Sequence, residues 1–251
     1  MPKSPYYISQ NFLTSKKTIE RIIGKADIGK HDTVLEIGAG KGHITKALSL
    51  RCKEVVSYEI DRKLYDTLKP QLPENVRLYR ADFLGAPPPK TPYKVFANIP
   101  FSITTAIVKK LTQTDSPPDA VWLVMEKGAA KRFCSLPRDT LSSLLIKPFF
   151  ETKIVYHFRR EDFHPAPNAD AVLIEFRRKE MPDIPLSLAR DYRVFLSHSI
   201  RHGLYGPRAP LTKKQIGTAL RLERLPPIER GGDILYIQWL CLFRCWLRRS
   251  R

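Results

Sequence analysis

The chain has 251 residues, 43% of them hydrophobic and 27% charged, a balance that suits a folded globular protein and excludes a disordered chain. It holds 43 Lys and Arg against 25 Asp and Glu, a net charge of +18, and residues 177–251 alone hold 16 against 6, or +10 of that excess, which suits a polyanionic partner, nucleic acid or an acidic membrane surface, with a solubility excess as the alternative. No apolar run approaches the roughly 18 residues of a membrane helix, and Met1 to Tyr7 lacks the apolar stretch of a signal peptide, so a cytoplasmic protein without membrane association is expected.

In chain order, a short helix is predicted over Thr18 to Lys25, and Thr33 to Ile37 reads as a β-branched strand that runs into glycines. His43 to Leu50 has helical character and Glu54 to Glu59 is a second strand. Strand, glycine turn, helix and strand make a βαβ unit, which implies a parallel sheet with a right-handed crossover. Further strands are predicted at Val76 to Tyr79, Lys94 to Ala97, Ala120 to Met125, Lys153 to Phe158 and Ala171 to Phe176, with helical stretches between several of them. This alternation describes an open, doubly wound α/β sheet. Two prolines in Met181 to Pro185 break the pattern. Beyond them come helical periods at Tyr192 to Ile200, Lys213 to Leu220 and Ile234 to Trp246, with no strand. The expected organisation is an α/β domain over residues 1–179 and a small, basic, all-helical domain over 180–251. Cys52, Cys134, Cys241 and Cys245 form no CxxC pair and have no His at zinc-ligand spacing, so free thiols and no metal are expected.

Two constellations carry chemistry. Glu36-Ile37-Gly38-Ala39-Gly40-Lys41-Gly42 leaves the first strand through glycines that permit a tight turn and close approach to a ligand, and a strand's carboxyl end is where α/β sheets bind nucleotides. The G-x-G-x-G spacing departs from the G-x-G-x-x-G of a dinucleotide site. Glu59 ends the second strand, where a carboxylate can accept both ribose hydroxyls, and Asp82 follows the third, where it can accept from an adenine amine. A structural turn and solvated strand-end acids are the alternative; the three at successive strand ends fit an adenosine. The second constellation is Asn98-Ile99-Pro100-Phe101, directly after the strand Lys94 to Ala97. It also reads as an ordinary strand-ending turn. It nonetheless offers a side-chain carbonyl, main-chain carbonyls and an aromatic face, the groups needed to orient an exocyclic amine and stack a flipped base. Phe163, in Phe163-His164-Pro165-Ala166-Pro167, is a candidate for the opposite face.

These segments, with Ser9-Gln10-Asn11-Phe12-Leu13, Tyr58-Glu59-Ile60-Asp61 and Ala81-Asp82-Phe83, resemble the Erm group of rRNA adenine N6-methyltransferases, sister to the KsgA-type dimethyltransferases. The resemblance covers nearly the whole chain. It implies a Rossmann-like, class I methyltransferase domain that uses S-adenosyl-L-methionine and releases S-adenosyl-L-homocysteine. It assigns Gln10, Asn11 and Leu13 to the methionine end of the cofactor and Gly38, Glu59 and Asp82 to its adenosine, with Glu36, Gly40, Ile60, Phe83 and Asn98 in the same binding set. Asn98, Ile99, Pro100, Phe101 and Phe163 fall to catalysis and the target base.

Ile99-Pro100-Phe101, Glu126 to Arg132, Leu211 to Gln215 and Gln238 to Phe243 are similar to the Erm versions of their segments. The resemblance therefore implies 23S rRNA as substrate and macrolide-lincosamide-streptogramin B resistance as consequence; the basic Arg248-Arg249-Ser250-Arg251 departs from it. Lys131, Arg132, Arg159, Arg160 and Arg208 are expected to contact RNA phosphates, and a monomer is expected on bulky RNA. A KsgA-type enzyme of small-subunit rRNA is the nearest alternative. An idle RNA-binding protein would not need Asn98 to Phe101, and a nicotinamide oxidoreductase would want the longer glycine spacing.

Overall fold

The computed structural model describes residues 11–229 and 232–250. Two compact units emerge, Met1–Lys131 with Phe150–Glu180, and Arg132–Phe149 with Met181–Arg251. The sequence places residues 132–149 in the α/β domain; in the structure they pack with the carboxyl-terminal residues. The cause is a set of contacts between positions distant in the chain. The Lys147 ammonium lies 5.4 Å from the Tyr236 ring centroid, the Pro148 carbonyl accepts from the Asp183 N–H at 2.9 Å, and Arg138 pairs with Asp233 at 3.8 Å.

The first unit opens with β1 (Phe12–Leu13) and α1 (Lys16–Lys25), followed by β2 (Thr33–Ile37), α2 (His43–Ser49), β3 (Glu54–Tyr58), α3 (Arg62–Leu68) and β4 (Val76–Tyr79). After these come β5 (Lys94–Asn98), α4 (Thr104–Thr112), β6 (Ala120–Glu126) and α5 (Lys127–Phe133), the last running into the second unit. The first unit resumes with β7 (Phe150–His157), β8 (Phe163–His164) and β9 (Ala171–Arg178). A seven-stranded sheet has the order β4-β3-β2-β5-β6-β9-β7. Strands β2 to β6 pair in parallel, and β9 runs antiparallel between β6 and β7. Residues Ala120 to Met125 of β6 are all buried, as an apolar run at the centre of a doubly covered sheet should be.

Local chemistry sets the helix boundaries. Ser15 caps α1 by accepting the Thr18 N–H, and Ile19, Ile22 and Ile23 bury one face at helical spacing. Asp61 caps α3 by accepting the N–H groups of Lys63 and Leu64. The two-residue strands β1 and β8, which are too short to show a period, pair antiparallel and set Leu13 opposite Phe163.

The second unit contains α6 (Leu141–Ile146), α7 (Ala189–His202), α8 (Lys213–Leu222) and α9 (Tyr236–Ser250). Its core is aromatic. Tyr192 and Phe195 of α7 meet Phe243 of α9 with ring centroids 5.0 and 5.8 Å apart, and Trp239 and Trp246 extend the cluster. Thr140 and Thr212 head α6 and α8 in reciprocal capping boxes with Ser143 and Gln215. No described helix is long and apolar enough to cross a membrane.

Candidate active site

The chain runs outward from β2 through β3 to β4, then returns to place β5 on the other side of β2. This reversal leaves a crevice beyond the carboxyl ends of β2 and β5, the position where open α/β sheets bind ligands. An open cleft lies there. Asn11, Leu13, Glu36, Gly38, Gly40, Glu59, Ile60, Asp82, Phe83, Asn98, Ile99, Pro100 and Phe101 all line it, so the structure gathers most of the sequence-derived candidates around one space. Gln10 lies outside the described residues.

The glycine turn is built against the end of β3. The N–H groups of Gly38 and Ala39 both donate to the Tyr58 carbonyl, at 2.9 and 3.1 Å. Gly40 donates to Glu59 Oε2 at 2.7 Å, and Asp61 donates to Glu59 Oε1 at 2.8 Å. Each carboxylate oxygen thus holds one main-chain N–H and keeps acceptor capacity for a further donor. Glu59 is only 3% exposed, and burial raises its carboxyl above the ordinary value. Gly40 has φ +56°, and a Cβ there would lie 2.9 Å from the Phe12 ring, so β1 closes down on a turn that tolerates no side chain. The Lys41 ammonium lies 5.1 Å from the Phe12 ring centroid.

Glu36 takes part from below. It is 2% exposed, and its Oε2 accepts from the Thr45 and Ser57 hydroxyls, both at 2.7 Å. Burial pushes its carboxyl up to about 7. Because the folded state holds this proton more tightly than the unfolded chain, stability should fall as pH rises from about 4.5 towards 7 and then level off. The full shift corresponds to roughly 3 kcal/mol, and Glu36→Gln should remove that part of the slope. Urea unfolding of both proteins across this pH range checks it, and parallel profiles would exclude Glu36 as the source.

Asp82 Oδ1 accepts from the Leu84 N–H at 2.9 Å, and Phe83 packs edge-on to Tyr58 with centroids 5.9 Å apart. Ile60, 45% exposed, offers an aliphatic surface on the cleft wall. Asn98 Nδ2 donates to the Asn11 carbonyl at 2.8 Å. A carbonyl can only accept, so this bond fixes the amide's sense and leaves Asn98 Oδ1 as the acceptor. The Pro100 carbonyl already accepts the Ile103 N–H at 3.2 Å, which singles out Ile99 as the better main-chain acceptor of the two expected from sequence.

Phe163 departs from its expected place. It does not line the cleft; it is 4% exposed and its ring packs edge-on to Phe158 at 5.2 Å. Its position opposite Leu13 makes it a support of the β1 strap. Of the expected RNA contacts, Lys131, Arg132, Arg159, Arg160 and Arg208 are all exposed. Arg160 is committed elsewhere, donating to the carbonyls of Pro167 and Asn168, each at 3.1 Å. Sequence reasoning missed Phe12, Lys41 and Tyr58 in the cleft lining; the position of all three inside the segments that carry the family resemblance was the available signal.

Comparison with known proteins identifies the family. The family model described as ribosomal RNA adenine dimethylase matches residues 4–202. An rRNA adenine N-6-methyltransferase of Bacillus licheniformis is 37% identical over 96% of this chain and 86% of its own length. One from Escherichia coli is 33% identical over 95% of each. Among solved structures, the 23S rRNA methyltransferase ErmE superposes with a TM-score of 0.78 at 27% identity, covering 94% of this chain and 99% of that one. A dimethyladenosine transferase from Plasmodium falciparum, 21% identical with a TM-score of 0.69 over 92% of this chain and 86% of its own, shares the fold. With its cleft at the β2/β5 switch point and its family match across most of its length, this chain belongs to the ribosomal RNA adenine dimethylase family of S-adenosylmethionine-dependent methyltransferases.

Proposed function

We propose that this chain methylates N6 of one adenine in 23S rRNA, acting as a cytoplasmic monomer, and that the modification protects the ribosome against macrolide, lincosamide and streptogramin B antibiotics. The observation that carries the chemistry is the pinned Asn98 amide, whose Nδ2 is held by the Asn11 carbonyl so that Oδ1 is the acceptor. Preference for 23S over small-subunit rRNA rests on the likeness to ErmE along nearly the whole of both chains.

The cleft fits S-adenosylmethionine by its own chemistry. A buried carboxylate at the end of β3 with acceptor capacity left suits ribose hydroxyls, and Ile60 and Phe83 suit an adenine face. Asp82, with Oδ1 tied to the Leu84 N–H, keeps Oδ2 for the adenine amine, and Asn11 and Leu13 take the methionine end. When bound, S-adenosylmethionine supplies a methyl group already made electrophilic by the sulfonium.

The protein's task is therefore placement. Adenine N6 is a poor nucleophile because its lone pair is delocalised into the ring. Asn98 Oδ1 and the Ile99 carbonyl accept its two N–H groups and favour a more tetrahedral nitrogen, while Phe101 stacks on the extruded base. Positioning of this kind supplies roughly 7–11 kcal/mol of barrier reduction in favourable cases. The nitrogen's proton becomes acidic as the new N–C bond forms and passes to water, so no strong base is required.

Lys131, Arg132, Arg159 and Arg208 contact phosphates in this reading, and the second unit, with 16 Lys and Arg against 6 Asp and Glu, adds an excess of +10. Affinity for RNA should fall steeply with salt. The test is transfer of labelled methyl from S-adenosylmethionine to protein-free 23S and 16S rRNA in parallel, with the modified adenine mapped by primer extension. Label in 23S alone is expected; label only in 16S overturns the substrate assignment.

A further inference from the structure

Lys110, near the end of α4, has no role in the site described so far. Its ammonium donates to the carbonyls of Phe83 and Leu84 at 2.7 and 2.8 Å and also to the carbonyl of Ala86. All three N–H groups of the lysine thus converge on one turn. The same ammonium lies 4.8 Å from the Phe83 ring centroid. That turn follows β4 and carries Asp82 and Phe83, both of which line the cleft. Within the turn itself, Asp82 Oδ1 holds the Leu84 N–H and the Phe83 carbonyl accepts the Ala86 N–H at 3.1 Å. These short-range bonds shape the turn without anchoring it to the rest of the unit. Burial pulls the Lys110 ammonium below the ordinary lysine value while the Asp82 carboxylate pulls it the other way, as expected for a cation held close behind the turn. The helix bearing Lys110 also starts directly after Phe101–Ile103, in the loop assigned to the target base.

We infer that Lys110 is a positioning residue for adenine recognition: by gathering the Phe83, Leu84 and Ala86 carbonyls it fixes the Asp82 carboxylate where it selects the amine of the cofactor's adenine. The inference rests on Asp82 being that acceptor. Lys110 does not touch the ligand; it acts through the turn. A ligand in which adenine carries its amine gains from a fixed Asp82, whereas the hypoxanthine counterpart presents a carbonyl to the carboxylate and gains nothing.

Calorimetric titration with S-adenosylhomocysteine and with S-inosylhomocysteine tests this without turnover. Wild type should prefer the adenosyl ligand by about 10-fold or more, the scale of one buried hydrogen bond to a charged group. Lys110→Met, which keeps the aliphatic stem, should weaken the adenosyl ligand by about that factor and leave the inosyl ligand nearly unchanged, so that the preference collapses. Lys110→Arg keeps the charge, but its flat guanidinium cannot converge on three carbonyls as a tetrahedral ammonium does; it too should lose most of the preference, which keeps the test alive if the methionine variant fails to fold. A preference unchanged in either variant, or an equal loss for both ligands, overturns the role of Lys110. Absence of any preference in the wild type would instead overturn the reading of Asp82.

Discussion

Asn98→Ala is expected to lower methyl transfer by about 10²–10³-fold at saturating substrates, the loss seen when one hydrogen-bonding group aimed at reacting atoms is removed. Affinity for S-adenosylhomocysteine should stay within a few fold. The two effects separate because the amide makes two different bonds. Nδ2 holds the Asn11 carbonyl at 2.8 Å, a contact that water can replace in the alanine variant. Under the proposed mechanism Oδ1 accepts from the target amine, and water there would leave the nitrogen unaligned. Asn98→Asp adds a contrast. An ionised carboxylate has no donor for the Asn11 carbonyl and would set charge against it, so this variant should lose cofactor affinity as well as turnover. Single-turnover transfer to rRNA combined with calorimetric titration reads both quantities. An alanine variant that loses affinity and turnover to the same extent would falsify the assigned role.

The second large effect is expected at Glu59. Its Oε2 takes the Gly40 N–H and its Oε1 the Asp61 N–H, both in a buried setting. Glutamine has a single side-chain acceptor, so in Glu59→Gln an amide N–H must face one of these main-chain donors. A buried donor left without an acceptor costs the fold about 1–3 kcal/mol, and under the proposed assignment the ribose loses a hydrogen bond to a charged group, about 1.5–3 kcal/mol of binding. At about 1.4 kcal/mol per tenfold, cofactor affinity should fall about 10²-fold. Turnover at saturating cofactor should change much less, because Asn98 and Ile99 are untouched. Titration with S-adenosylhomocysteine checks the first and initial rates check the second. Wild-type affinity in this variant would remove Glu59 from the cofactor site.

The β2 turn and the Asn98 loop were legible because both depend on local sequence. Glycines with positive φ at Gly38, Gly40 and Gly42 stand out as residue types with a conformational reason. An Asn-Ile-Pro-Phe segment after a strand can be placed by counting. The roles within those motifs were less legible. Sequence reading could not choose between the Ile99 and Pro100 carbonyls; the Ile103 N–H at 3.2 Å from the latter leaves Ile99 the less engaged of the two. It set Phe163 at the target base, but strand pairing places Phe163 opposite Leu13, buried behind the strap. Lys110 carries no motif at all, and only the approach of α4 to the turn after β4 shows what it holds.

By itself, the sequence determined the alternation of strands and helices, the glycine turn, the acids at strand ends, the basic surplus and the family. Each is written in short-range periodicity or in the identity of a few neighbouring residues. Tertiary structure decided which carbonyls are already occupied, which way the Asn98 amide points, that residues 132–149 pack with the carboxyl-terminal helices, and that a lysine far along the chain gathers the carbonyls of the turn after β4. Apart from the Ile103–Pro100 bond, which closes a local turn, these depend on groups brought within hydrogen-bond distance from positions tens of residues apart. A hydrogen bond made across such a separation leaves no period in the chain from which it could be read.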